Sequence, residues 1–125
     1  MNAAILLLSA SLTLAPIAAN PASSLDAAPG RVGGPGEITT RVEAHDTDQY
    51  EIRFHGEELA QIIVRGDGDT DLDLYVYDEN DNLIASDTDS TDVCVVRWTP
   101  RWTGNFRVRV KNLGRVYNRY TLTTN

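Results

Sequence analysis

Four aspartates spaced two apart, Asp67, Asp69, Asp71 and Asp73, are the residues of this chain best suited to chemistry. They lie in the run Gly66-Asp67-Gly68-Asp69-Thr70-Asp71-Leu72-Asp73. A hard cation such as Ca²⁺ takes about six to eight oxygens, and a glycine-containing acidic loop offers carboxylates together with main-chain carbonyls. The spacing opens like the calcium loop of a helix–loop–helix hand and then departs from it. Leu72 stands where that loop needs glycine, and a strand pattern follows where a helix would. The four aspartates are therefore candidate metal ligands, with calcium as the ion, outside that motif. The competing reading is electrostatic: Asp71 and Asp73 share an outward face, and Arg107 and Arg109 are available to pair with them across strands.

The second candidate group is aromatic. Trp98-Thr99-Pro100-Arg101-Trp102, with Tyr75 and Tyr77, supplies flat faces for a sugar ring or a protein fibre, and an arginine beside them can stack or pair. Trp98 is expected to plug one end of a core, and Trp102, after a proline and beside Arg101, to be exposed. The candidate ligand-binding residues are thus Tyr75, Tyr77, Arg101 and Trp102. His45 and His55 flank one strand, and at about 3.3 Å per residue they stand too far apart to share a metal. The single cysteine, Cys94, forms no internal disulfide. It sits in Val93-Cys94-Val95-Val96 with no cation beside it in sequence, which reads as a small buried hydrophobe. No nucleophile elbow, zinc-protease helix or phosphate loop occurs, and no carboxylate pair has surroundings that would split its pKa values. No catalysis is expected.

These residues need elements to hold them. Leu72, Leu74 and Val76 alternate with Asp73, Tyr75 and Tyr77, the period of a half-buried strand. The same logic gives strands at residues 38–44, 49–54, 59–65, 83–86, 93–99, 104–111 and 118–123, separated by Gly, Pro, Asn and Asp turn chemistry. The 59–65 strand is the most continuously apolar and is expected to be buried on both faces. No helical period of useful length appears. The expected fold is all-β: a single jelly-roll-like β-sandwich of seven or eight short antiparallel strands.

A chain of 125 residues has room for one such domain. Its net charge of −7 argues against a nucleic-acid partner. The charge falls in blocks, with ten acidic and no basic residues from Gly66 to Asp92, and seven basic and no acidic residues from Arg97 to Arg119. A cross-strand ladder between the blocks is expected. Residues 1–19 are almost wholly apolar or small and read as an export signal, although no Lys or Arg precedes them. A membrane anchor is the competing reading; the run is short and diluted by Ser9, Ser11 and Thr13, so no stable membrane insertion is expected once the signal is removed. Residues 20–36, rich in Pro, Gly, Ser and Ala, read as a flexible linker, and 37–125 as the folded domain.

Three segments in order resemble the bacterial pre-peptidase C-terminal domain family: Asp46-Thr47-Asp48-Gln49-Tyr50-Glu51-Ile52-Arg53-Phe54 with Gly56-Glu57; Gly66 to Asp78 with its Asp71-Leu72-Asp73-Leu74-Tyr75; and Gly104-Asn105-Phe106-Arg107-Val108-Arg109-Val110 with Tyr120-Thr121-Leu122. The resemblance implies a jelly-roll sandwich, secretion and no catalysis. Domains of that family usually follow secreted peptidases or other hydrolases, and related collagenase modules bind collagen through exposed tyrosines, and calcium. In contrast to that usual arrangement, no enzyme domain is expected within these 125 residues. The chain also carries Asp81 where relatives often carry glycine, so a left-handed aspartate is expected there.

The expected function is that of a secreted, periplasmic or cell-envelope module without catalysis. It binds an extracellular polymer (a polysaccharide or a collagen-like protein) or accompanies a secreted hydrolase, and it requires no cofactor beyond the candidate calcium. The alternatives are a calcium-stabilised structural or surface-associated protein with no ligand of its own, and an enzyme with an unrecognised site.

Overall fold

The computed structural model describes Ala4–Leu6 and residues 30–125. Apart from Ala4–Leu6, the expected export signal lies outside the described residues, as do residues 20–29 of the expected linker. The described residues form nine strands: β1 (Ala4–Leu6), β2 (Gly36–Val42), β3 (Thr47–Phe54), β4 (Ala60–Arg65), β5 (Leu72–Tyr77), β6 (Leu83–Asp87), β7 (Val93–Trp98), β8 (Gly104–Asn112) and β9 (Asn118–Thr124). There is no helix among the described residues, and hence none long and apolar enough to cross a membrane.

Strands β2 to β9 form two antiparallel sheets, ordered β3-β8-β5-β6 and β2-β9-β4-β7. β1 runs parallel to the outer edge of β3, with Ala4 opposite Asp48 and Leu6 opposite Tyr50. β2 pairs with β9, and β3 with β8, so the chain folds back on itself in nested pairs. That nesting, spread over two sheets, is the jelly roll the sequence predicts. Before β2, Gly30–Val32 lies against the rest of the domain: Arg31 N donates to Asn125 O at 2.8 Å and Val32 N to Arg53 O at 2.8 Å.

Alternation decides what each strand buries. Tyr50, Ile52 and Phe54 of β3, Leu72, Leu74 and Val76 of β5, and Phe106, Val108 and Val110 of β8 face Val42, Ile62, Val64, Cys94, Tyr120 and Leu122 of the other sheet. Each such side chain fully buried contributes about 1.5–3 kcal/mol. β4 departs from the expectation. Ala60, Ile62 and Val64 are buried, whereas Gln61 and Ile63 are only half-buried, because the outer face of that sheet is open to solvent. Cys94 is fully buried as expected; its Sγ donates to Leu72 O at 3.2 Å, and burial, reinforced by Asp87 and Asp89, pushes its thiol up to about 12.

One polar group crosses the core. The Tyr50 and Tyr120 hydroxyls lie 2.5 Å apart, and Tyr120 donates to Asp48 Oδ2 at 2.6 Å. The relay joins β3 to β9 and hence one sheet to the other. Asp48, expected in a turn, instead continues the inward alternation of β3 and is only 5 % exposed. Burial, with the charges of Asp46 and Glu43, raises its carboxyl above the ordinary range, and the Tyr120 hydrogen bond pulls the other way. Burial also raises both phenols.

Replacing Tyr120 by Phe strands the Asp48 oxygen and the Tyr50 hydroxyl inside the sandwich. The expected cost is about 1–3 kcal/mol, read as a lowered urea midpoint with an unchanged slope.

Candidate ligand-binding site

At one end of the sandwich the two sheets gape. A cavity of about 370 Å³ opens between the β5–β6 turn and the β7–β8 loop. Its floor is aromatic. Trp98 stands 4.9 Å from Phe54 and 5.2 Å from Phe106, both edge-on, so the expected core plug is also the base of a pocket. Trp102 and Arg101 form one rim, and Trp102 is 62 % exposed, the most of any large apolar side chain described. Tyr75 and Tyr77 do not line this cavity. They stack on each other outside the other sheet, with centroids 6.5 Å apart, and the Arg107 and Arg109 guanidinium groups lie 5.4 Å and 5.8 Å from the Tyr77 ring. The four aromatic-site candidates are thus split between two surfaces.

Both walls of the pocket are tied down by main-chain contacts. On one side, Asp78 Oδ1 accepts the Asn80 and Asn82 N–H groups at 2.8 Å and 2.9 Å, and Oδ2 accepts Asn82 Nδ2 at 3.0 Å. These bonds, led by that of the Asn82 N–H, hold the Asp78 carboxyl below its usual range. Asp81 takes the expected left-handed conformation at φ 66°. Glu79 Oε2 accepts Asn105 N at 3.1 Å, which ties this turn to the start of β8. On the other side, Gly56 N donates to Thr103 Oγ1 at 2.9 Å and Glu57 N to Pro100 O at 2.6 Å. A Cβ on Gly56 would come within 2.5 Å of Trp102 Cα, so only glycine lets the β3–β4 turn lie this close beneath the Trp102 segment.

A second, more polar cavity of about 270 Å³ adjoins the first and shares Asp78, Glu79 and Asn105 with it. Gln49, Tyr50, Glu51 and Arg107 complete its lining. The wall of each cavity contains an N–H that is shielded and has no acceptor: Trp98 Nε1 in the first and Arg107 Nε in the second. Sequence reasoning found Trp102 and Arg101 but missed the Asp78–Asn82 wall and Asn105. The only signal was the turn chemistry of Asp78-Glu79-Asn80-Asp81-Asn82, which says nothing of what the turn faces.

The acidic run divides differently from its even spacing. Asp67 is spent on local structure: Oδ1 accepts Asp69 N and Oδ2 accepts Arg119 N, each at 2.9 Å. Asp69 is exposed. Asp71 and Asp73 differ, since each has a shielded Oδ1 without a partner. Asp73 is only 6 % exposed although it sits on the outer face of β5, and its Oδ2 accepts the Tyr75 hydroxyl at 3.3 Å. Burial raises both carboxyls. For Asp71 the charges of Asp73, Asp89 and Asp92 add to it; for Asp73 those of Asp87 and Asp89 add, against the Tyr75 bond and Lys111. Among the described residues no three His, Cys, Asp or Glu side chains close on a common point. The expected partners of this face are corrected by the β5–β8 register. Asp73 stands opposite Lys111, Tyr75 opposite Arg109 and Tyr77 opposite Arg107, so Arg107 pairs with Asp81 and Arg109 donates to Gln49 Oε1 at 3.0 Å. His45 and His55 lie at opposite ends of β3.

No protein-family model and no curated protein matches this chain. Solved structures do. The pre-peptidase C-terminal domain of a Bacillus anthracis collagenase is similar at a TM-score of 0.65 and 17 % identity, over 77 % of this chain and 93 % of that one. The Yersinia pseudotuberculosis-derived mitogen is similar at 0.57 and 10 % identity, over 73 % and 84 %. PliG of Aeromonas hydrophila, a periplasmic inhibitor of g-type lysozyme, is similar at 0.53 and 13 % identity, over 72 % and 83 %.

Because the folded-state pKa of Asp73 is raised, its contribution to stability is complete below the unfolded carboxylate value of about 3.9 and is lost as pH rises through the folded value. In EDTA, the melting point of Asp73→Asn relative to the parent should therefore improve as pH rises from about 4. The likeness to the collagenase domain, over 93 % of that domain's length, is one of fold: the chain shares its two-sheet antiparallel β-sandwich architecture.

Proposed function

We propose that this chain is an exported, non-catalytic module that binds an extracellular polymer or protein through the end pocket floored by Trp98 and rimmed by Trp102. The observation that carries the reading is the exposure of Trp102 over a preformed cavity whose two walls are each fixed by main-chain hydrogen bonds. An exposed indole on a mobile loop would bind weakly, because ordering it costs entropy; here that ordering is already done. The likeness to a collagenase accessory domain and to a periplasmic inhibitor supports a binding role outside the cytoplasm. The pocket brings together no nucleophile with a base, and the carboxylates along its edge are engaged with main-chain N–H groups, which supports the absence of catalysis.

Co-sedimentation with insoluble cellulose, chitin and fibrillar collagen tests this. The parent chain is expected to partition to at least one of them, and Trp102→Ala to lose most of that binding while melting as the parent does. Equal partitioning of the variant would overturn the reading.

A second reading, a calcium-stabilised structural or surface-associated protein, is favoured by the two unpartnered oxygens of Asp71 and Asp73. A divalent cation between these two carboxylates would relieve their repulsion and supply the missing partners, with main-chain carbonyls and water as its further ligands. At 100 times its dissociation constant such an ion adds about 2.7 kcal/mol, which moves the midpoint of a domain this size by roughly 10 °C or more. Millimolar Ca²⁺ should produce that shift against EDTA in the parent and none in Asp73→Asn.

A further inference from the structure

The end pocket of about 370 Å³ and the polar cavity of about 270 Å³ lie side by side, with Asp78, Glu79 and Asn105 in the lining of both. From their chemistry we infer that the ligand is a neutral oligosaccharide chain, with one ring stacked at Trp102 over the Trp98 floor and the next lying across Asn105 towards Gln49 and Arg107. The inference rests on the pocket being the binding site, as proposed above, and goes on to name what enters it.

Three observations select this occupant. The first is the pairing of an aromatic surface with a wall of amides. A pyranose ring presents apolar C–H faces and a rim of hydroxyls, so it needs an indole face beside planar groups that both donate and accept. Trp102 supplies the face. Asn80 and Asn105 line the same cavity, and neither side-chain amide is engaged in a hydrogen bond with the protein. Gln49 and Glu51 continue the polar lining into the second cavity.

The second observation is the pair of unmet donors. Trp98 Nε1 and Arg107 Nε each lack an acceptor, one in the wall of each cavity. Both N–H groups are shielded on residues that line the cavities, so a ring hydroxyl would accept from them only once the side chain turns towards the ligand, and that turn would relieve the cost of leaving them unmet.

The third is charge. An aromatic pocket edged by acids would otherwise suit a lysine or a quaternary ammonium group. Here the Asp78 carboxylate is held by three N–H donors of its own turn, which keep it ionised, Glu79 caps Asn105 N, and Arg101 at the rim is positive. With charges of both signs in the lining and the carboxylates committed to N–H groups, an uncharged polar ring is the occupant that leaves these contacts in place.

The test is a titration of the full chain, followed by tryptophan fluorescence and by the indole N–H resonances of Trp98 and Trp102. The probes are the β-1,4-linked hexasaccharides of glucose and of N-acetylglucosamine, a triple-helical collagen-like peptide and a lysine-rich peptide. The proteins are the parent, Trp102→Ala, Asn105→Ala and, as a control, Tyr117→Ala, an exposed aromatic that lines neither cavity. The expected result is saturable binding of at least one hexasaccharide that shifts both indole resonances. Trp102→Ala should weaken it at least tenfold and Asn105→Ala severalfold, with Tyr117→Ala unchanged, and the trisaccharide of the same sugar should bind more weakly than the hexamer. Binding of the collagen-like or lysine-rich peptide that depends on Trp102, with neither hexasaccharide binding at 10 mM, would overturn the ligand class and leave the pocket as the site. Binding of any probe that is insensitive to Trp102→Ala, or no binding at all, would overturn both. Matching melting points of parent and variants exclude unfolding as the cause of a loss.

Discussion

The hydrogen-bonded line from Tyr50 through Tyr120 to Asp48 is the constraint on which the two sheets depend for their alignment. Apolar contact between sheets is non-directional, and side chains of similar size can slide by a rung at modest cost. Polar atoms in a dry core cannot, because any slip leaves three of them unsatisfied at once. The relay therefore fixes β3 against β9, and through β9 it fixes β2 and β4 as well. Asn112 and Asn118, both fully buried, extend the same strategy to the opposite end of the sandwich. Asn112 Nδ2 reaches Val42 O, Glu43 O and Val116 O, and Asn118 joins Thr70, Asp92 and Asp67 N.

A frame held this way leaves its end loops free to be shaped without loosening the core. The β5–β6 turn and the β7–β8 loop carry little buried apolar surface of their own; short bonds to neighbouring main chain hold them. The aromatic trio of Phe54, Trp98 and Phe106 then serves both purposes, closing the core below and offering a hydrophobic base above. On the outer face of β5, burial raises the Asp71 and Asp73 carboxyls, neighbouring carboxylates add to it, and at Asp73 Lys111 offsets part of the rise. The acidic run thus makes a local electrostatic cost, and the aromatic pocket does not share it.

Much of the fold was legible because alternation is a local property. Leu72–Tyr77 reads as a strand from its own six residues, and β8 from Phe106, Val108 and Val110. Asp48 was not legible: an aspartate two residues from another aspartate and next to threonine carries turn chemistry, and only the arrival of Tyr120 from 72 residues away makes it a core residue. The inner division of the acidic loop was hidden for a related reason. Even spacing suggested one site, but Asp67 is claimed by Asp69 N and by Arg119 N, the second a partner far off in sequence, so the run divides after Asp69. The pocket was half legible. Proline and arginine beside Trp102 marked it as exposed, whereas its opposite wall comes from a turn some twenty residues earlier, and nothing in either segment announces the other.

The nested pairing has a mechanical consequence. β2 and β9 are antiparallel, and Gly36 lies opposite Thr124, so the chain enters and leaves this pair at the same end. Tension applied through the flanking residues therefore opens the pair as a zipper, one rung at a time from Gly36–Thr124 towards Val42–Asn118, and does not load all its hydrogen bonds together. Peeling β9 also removes the partner of β4 and draws on Tyr120, the middle of the cross-core relay. A module built this way holds a load applied across its surface far better than one applied through its ends.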